Sequence, residues 1–249
     1  MGHEFELHSA AEISATPAEV WQGIASGPGI DSWFMGRSQV EPGESGTVRT
    51  DMGDFVLEST VTAWDPLKRF AHQSPRAEDG RFIAYEFLIE GRDRGSTVLR
   101  LATSGFLPGD DWETEFDAMT KGMDMYFRTL VSYLDHFAGR TATPITTSGP
   151  YVTDWDRAWP ALHGAFGLAG TVTEGDPVRA APAGLPPIDG VVDIVSPQCL
   201  GIRTDDALYR FVQGFFQSTV IVGHHVFSAG VDVEKTEPAW RSWLTELLG

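Results

Sequence analysis

Apolar residues at Trp112, Phe116, Met119, Met123, Tyr126, Phe127, Leu130, Val131, Leu134 and Phe137 recur in steps of three and four. That spacing gathers them on one stripe and predicts a single long amphipathic helix over 110–137. Asp110 and Asp111 place negative charge at its start, and Gly139 with Arg140 closes it. A helix of this length spans ~40 Å, so another element must cover its apolar face. Before it, from Gly46 to Phe106, the period changes to two. Strands are predicted over 47–50, 55–64, 69–73, 81–90 and 96–104, separated by Asp65-Pro66, Glu78-Asp79-Gly80 and Arg92-Asp93-Arg94-Gly95. Such short connections favour antiparallel neighbours. In the last of these strands Leu99, Leu101 and Thr103 alternate with Val98, Arg100 and Ala102, which assigns the Arg100 face to solvent. In the strand before it Tyr85, Phe87 and Ile89 oppose Ala84, Glu86, Leu88 and Glu90, and the aromatic face is expected to meet the long helix.

The chain opens with a strand over 4–13, followed by Thr16-Pro17-Ala18-Glu19. Thr16 and Glu19 form a capping-box pair, and Pro17 occupies the first helical position, where its missing N–H costs nothing. This helix should end near Gly27, and 29–34 reads as a turn of helix presenting Trp33 and Phe34.

Strand, helix, meander and long helix, taken with particular residues, resemble the SRPBCC superfamily of START and Bet v 1-like helix-grip domains. The branch it resembles is named for the activator of heat-shock protein 90 ATPase homologues. The matching stretches are Ala15-Thr16-Pro17-Ala18-Glu19-Val20-Trp21, Asp31-Ser32-Trp33-Phe34 and Val61-Thr62-Ala63-Trp64-Asp65-Pro66-Leu67-Lys68-Arg69-Phe70. Gly95-Ser96-Thr97-Val98-Leu99-Arg100-Leu101, Ser104-Gly105-Phe106, Lys121-Gly122-Met123, Leu130 and Tyr133-Leu134 complete the set. Met123 departs from the branch, which often has Trp after the helix glycine. The resemblance implies an α+β fold, a curved antiparallel sheet gripping the C-terminal helix with a pocket between them. It also implies an apolar ligand of lipid, polyketide or aromatic type. Some members are cyclases or hydrolases.

The order then restarts. Thr153-Asp154-Trp155-Asp156-Arg157-Ala158-Trp159 resembles 15–21, and 191–197 echoes 60–66. Tyr209-Arg210-Phe211 echoes Tyr85-Glu86-Phe87, and Ser218-Thr219-Val220-Ile221 echoes 96–99. The closing helix returns over 237–248 at less than half the length. The expected division is a helix-grip domain over 1–143 and a degenerate second unit, or an appended α+β domain, over 144–249. A linker is expected at 141–144, and the Pro-, Ala- and Gly-rich stretch 175–190 is expected to be a surface loop.

Composition narrows the function classes. A net charge of −17 argues against nucleic acid and against anionic membrane surfaces as partners. No apolar run reaches the ~18 residues of a membrane span, and the start lacks a signal peptide's basic and apolar regions, so a cytoplasmic protein is expected. Cys199, the one cysteine, has no disulfide partner within the chain and sits among apolar neighbours, which favours packing over reactivity. His224 and His225 point to opposite faces of a strand and cannot share a metal. Asp110-Asp111, Asp154/Asp156 and Asp205-Asp206 read as caps and turns. No catalytic, metal or cofactor motif occurs, and no catalytic residue is assigned.

The candidate ligand-binding residues are therefore Trp33, Phe34, Trp64, His72, Tyr85, Phe87, Leu99, Leu101, Met119, Met123, Tyr126 and Phe127. Flexible Met side chains on a long helix over a curved sheet would make an adaptable apolar site. His72, Tyr85, Glu86 and Tyr126 are the polar groups that orient a ligand if they point inward. The first expectation is binding of an apolar small molecule. A cyclase- or hydrolase-type enzyme on the same cavity, and a protein-interaction or co-chaperone module, are the alternatives, with a homodimer or protein partner left open.

Overall fold

The computed structural model describes residues 2–53, 55–92, 95–110, 112–214 and 219–249. Asp93 and Arg94 of an expected turn, Asp111 of the expected helix start and Ser218 of the expected repeat lie outside them. The chain divides into two units, Met1–Thr141 and Ala142–Gly249.

The first unit runs β1 (His3–Ile13), α1 (Pro17–Ala25), α2 (Gly27–Ile30), β2 (Arg37–Val40), β3 (Thr47–Asp51), β4 (Val56–Asp65), β5 (Arg69–Gln73), β6 (Phe82–Gly91), β7 (Thr97–Leu107) and α3 (Trp112–His136). Its seven strands form one sheet in the order β1-β7-β6-β5-β4-β3-β2, antiparallel throughout. The capping box at Thr16 and Glu19 is present in both directions. Strand β2 carries no alternating pattern long enough to read from sequence; four residues suffice because β3 pairs with all of them.

Alternation decides the faces. Phe70, Phe87 and Leu101 stand in one cross-strand row, and His72, Tyr85, Thr103 and Leu7 in the next. These rows face the helices. Arg100 faces away and pairs with Glu90, and Arg69 pairs with Glu86 on the same outer side. Glu86 therefore does not point inward. Helix α3 lies along β1 and β7, while α1 stands over β6 and β7. On this face of β6, Phe87 meets Trp33 of the turn after α2, and Ile83 packs in one cluster with Phe116, Met119 and Met123 of α3.

The second unit repeats the order: β8 (Thr143–Tyr151), α4 (Trp155–Ala165), β9 (Pro177–Ala180), β10 (Ile188–Ser196), β11 (Cys199–Arg203), β12 (Ala207–Gln213), β13 (Thr219–Val226) and α5 (Val233–Leu248). Its sheet, β8-β13-β12-β11-β10-β9, has the first unit's path with one strand fewer. Both sheets carry a register shift at the same place, between Val61 and Ala63 in β4 and between Val192 and Ile194 in β10. Each unit is α+β, a curved antiparallel sheet closed by a C-terminal helix.

Three expectations are corrected here. Thr143 and Pro144 belong to β8 rather than a linker, and Pro144 is tolerated because β8 is an edge strand. The stretch 175–190 is partly strand: β9 pairs with β10 from Ile188, and Pro177 opens that edge strand where no ladder donor is needed. Helix α5 has 16 residues against 25 in α3, more than half its length, because its first turn starts at Asp232, which caps it through Lys235 N–H.

Candidate functional site

The site is assembled from the turn after α2 and from the inner rows of β5 and β6. Ser26 caps α2 by accepting from Gly29 N–H at 3.1 Å. Gly29 is required there, since a Cβ would come within 2.0 Å of the Gln22 carbonyl oxygen. Backbone bonds from Ser32, Trp33 and Phe34 back to Gly29 and Ile30 then wind the chain through one more turn. Asp31 Oδ1 accepts Ser38 N–H at 2.6 Å, which ties this turn to β2. Desolvation raises the Asp31 carboxyl to about 6, against the lowering effects of Ser38 and Arg37. Trp33 is fixed by donating its Nε1–H to the Gly23 carbonyl at 2.9 Å.

From this turn a run of rings crosses the sheet. Tyr126 of α3 packs on Phe34 with centroids 4.3 Å apart, and Phe34 meets Trp33 at 5.6 Å. Trp33 meets Phe87 at 6.3 Å, Phe87 meets Phe70 at 6.2 Å, and Phe70 meets Trp64 at 5.5 Å. Trp21 closes the run against Trp64 at 5.0 Å. Edge-on and offset pairs of this kind add to the burial of each ring.

His72 and Tyr85 sit directly opposite each other on β5 and β6, with ring centroids 5.1 Å apart. Both rings are half-buried, and part of each stays accessible to solvent. Among the described residues neither side chain has a hydrogen-bond partner in the protein, and His72 Nδ1 is shut away from solvent as well. Burial pushes the His72 imidazole down to about 4 and the Tyr85 phenol up to about 12. Both are neutral across the physiological range.

Of the twelve candidates, Trp33, Phe34, Trp64, His72, Tyr85, Phe87 and Tyr126 are brought together by these contacts. Leu101 is beside Phe87 in register and Leu99 one row further, both buried. Phe127 is buried on α3. Met119 and Met123 fall in a separate cluster with Phe5, Leu107, Phe116 and Ile83. The sequence reading missed Trp21 and Phe70. The signal for Phe70 was its alternation with His72, which puts both on one face.

In the second unit the corresponding rows hold Leu200 opposite Phe211 and Ile202 opposite Tyr209, all buried except Tyr209, which stays partly accessible. Tyr209 and Phe211 occupy the inner face of β12, and Phe211 packs on Phe166, Trp240 and Trp243. His224 is fully buried between Tyr209, Phe211 and Trp240, its Nδ1 accepting Arg210 N–H at 3.0 Å. That bond assigns the proton to Nε2, which has no oxygen or nitrogen partner and lies against the rings. His225 is on the other face, and no cluster of metal-ligating groups occurs among the described residues. Asp154 caps α4 through Arg157 N–H, and Cys199 is buried. No helix is long and apolar enough to cross a membrane among the described residues.

No family model and no curated protein sequence matches the chain. Solved structures do resemble it. DynU16, from the dynemicin biosynthetic locus, is 15% identical over 98% of this chain and 95% of its own, with a TM-score of 0.44. The di-domain ARO/CYC BexL from the BE-7585A biosynthetic pathway is 10% identical over 98% of each chain, with a TM-score of 0.45. The Aha1 dimer from Colwellia psychrerythraea is 18% identical over 53% of this chain and 96% of its own, with a TM-score of 0.43.

Proposed function

We propose that the first unit is a helix-grip domain of SRPBCC type that binds an apolar small molecule of aromatic kind, and that the second unit is a shortened copy of it. The observation that carries this reading is the pair His72 and Tyr85: two half-buried polar side chains with no hydrogen-bond partner among the described residues, His72 resting on Phe70 within a run of seven aromatic rings. A polar group that loses its water to a bound molecule without gaining a partner costs ~1–3 kcal/mol, so a ligand seated here is favoured if it pairs with the accessible side of His72 and with the Tyr85 hydroxyl. In the second unit the place matching His72 is taken by the buried, apolar Ile202 opposite Tyr209.

Binding ranks above turnover on the same evidence. An imidazole held near 4 is a weak base, and a phenol held near 12 a weak acid, at neutral pH. Native mass spectrometry of the freshly purified protein, compared with a denatured sample, is expected to show an organic molecule that is lost on denaturation. Trp21, Trp33 and Trp64 lie in the ring array, so titrating stripped protein with aromatic molecules should quench its tryptophan fluorescence. A clean mass together with no response to any aromatic molecule would sink the reading.

A further inference from the structure

The inward positions of the four strands around the site are uncharged without exception: Phe5, Leu7, Ser9 and Ala11 on β1, Phe70 and His72 on β5, Ile83, Tyr85, Phe87 and Ile89 on β6, and Leu99, Leu101, Thr103 and Gly105 on β7. The ring array adds only Trp, Phe and Tyr. Charged residues of the same strands, Arg69, Glu86, Glu90 and Arg100, pair with one another on the opposite face. A carboxylate set against these strand faces would shed its water and meet no cation from them, and an ammonium would meet no carboxylate from them. His72 does not supply a compensating charge, because burial keeps it neutral.

The two polar groups also have defined roles. His72 Nδ1 is closed off from solvent and partnerless. A proton there would strand a donor, whereas a proton on Nε2 sits on the accessible side of the ring. His72 thus offers an N–H on its accessible side, and Tyr85, opposite it at 5.1 Å between centroids, offers a hydroxyl. An oxygen acceptor on a flat apolar body satisfies both.

We propose, building on the binding reading above, that the site selects uncharged aromatic molecules carrying a carbonyl oxygen, which accepts from His72 Nε2–H with the Tyr85 hydroxyl beside it, and that it rejects anions and cations of the same shape. The test is titration of the full-length protein at pH 7.5 with four probes on one apolar body: naphthalene, 2-acetylnaphthalene, 2-naphthoate and 2-naphthyltrimethylammonium. The ketone is expected to bind ~3–10-fold more tightly than naphthalene, the worth of one or two neutral hydrogen bonds. Naphthoate and the ammonium are expected to bind on the order of tenfold more weakly than the ketone, since each must bury an unpaired charge. In His72→Phe and Tyr85→Phe the margin of ketone over hydrocarbon should shrink toward unity. Naphthoate or the ammonium matching the ketone, or a margin that survives in both variants, overturns the selection while leaving aromatic binding intact. Failure of all four probes overturns the binding reading itself. If a variant does not fold, the ranking of the four probes on the unaltered protein still decides.

Discussion

Asp31 sits where α2 hands the chain to β2, and its carboxylate holds Ser38 N–H at 2.6 Å. Burial raises its pKa from 3.8 to about 6. The folded protein therefore binds this proton more tightly than the unfolded chain does. The stabilisation this gives is fully present below about 3.8 and is lost as pH rises through about 6. Asp31→Asn keeps an acceptor for Ser38 and removes the charge. Its melting temperature should exceed that of the parent at pH 7.5 and converge with it near pH 4; equal shifts at both values would show that the carboxyl is not desolvated. A different solution appears at Arg210, 1% exposed, whose guanidinium is held by both oxygens of Asp193 at 3.0 and 2.8 Å. Asp193 is the extra residue at the register shift of β10, so the irregularity aims the carboxylate at the cation. A charge is buried here only with a bidentate partner.

At the scale of elements, the turn that carries Trp33 and Phe34 depends on how closely α1 approaches α3. Gly23 makes that approach, since a Cβ there would meet the Tyr133 ring at 3.1 Å and Leu134 at 3.4 Å. Tyr133 is anchored by donating to the Arg140 carbonyl at 3.0 Å and yields little. Gly23→Val should cost ~1–3 kcal/mol by overpacking and should loosen the Trp33 bond to the Gly23 carbonyl, read as a lower denaturation midpoint with a red-shifted tryptophan emission. A midpoint unchanged from the parent would mean that α1 can slide without cost. Much of this was legible beforehand. Thr16, Pro17 and Glu19 define the start of α1 by local chemistry alone, and the three-four spacing from Trp112 to Phe137 defines α3. What was not legible is where α3 lies. A periodic stripe says that a face is buried but not against which strands, and α3 went to β1 and β7, while Phe87 meets Trp33 of the turn after α2.

On the scale of the whole molecule, two units each carry their own sheet, C-terminal helix and buried core, the first around Phe70, Leu99 and Leu130 and the second around Leu162, Phe211 and Leu244. Leu130→Ala and Phe211→Ala, both at fully buried positions, should each cost ~2–5 kcal/mol. Because the residues share no core, the double variant should cost the sum to within ~0.5 kcal/mol. Denaturant melts of the two single variants and the double variant check this; a deficit of several kcal/mol would mean that losing one core already unfolds the other. The net charge of −17 is spread over this whole chain, and an uncharged inner surface in the first unit keeps that field from being set against a buried anion or cation.

The sequence by itself determined the elements and their faces, because capping, turn chemistry and side-chain period are local properties that need only neighbours along the chain. It also located most of the aromatic residues of the site, since Tyr85 and Phe87 share a strand face by alternation and Trp33 and Phe34 follow a readable turn. Tertiary structure alone decided that His72 and Tyr85 stand opposite each other without partners, that Glu86 turns away to Arg69, and that Met119 and Met123 belong to another cluster. These outcomes rest on strand register and on which helix covers which strands, and both are set by contacts between residues far apart in the chain.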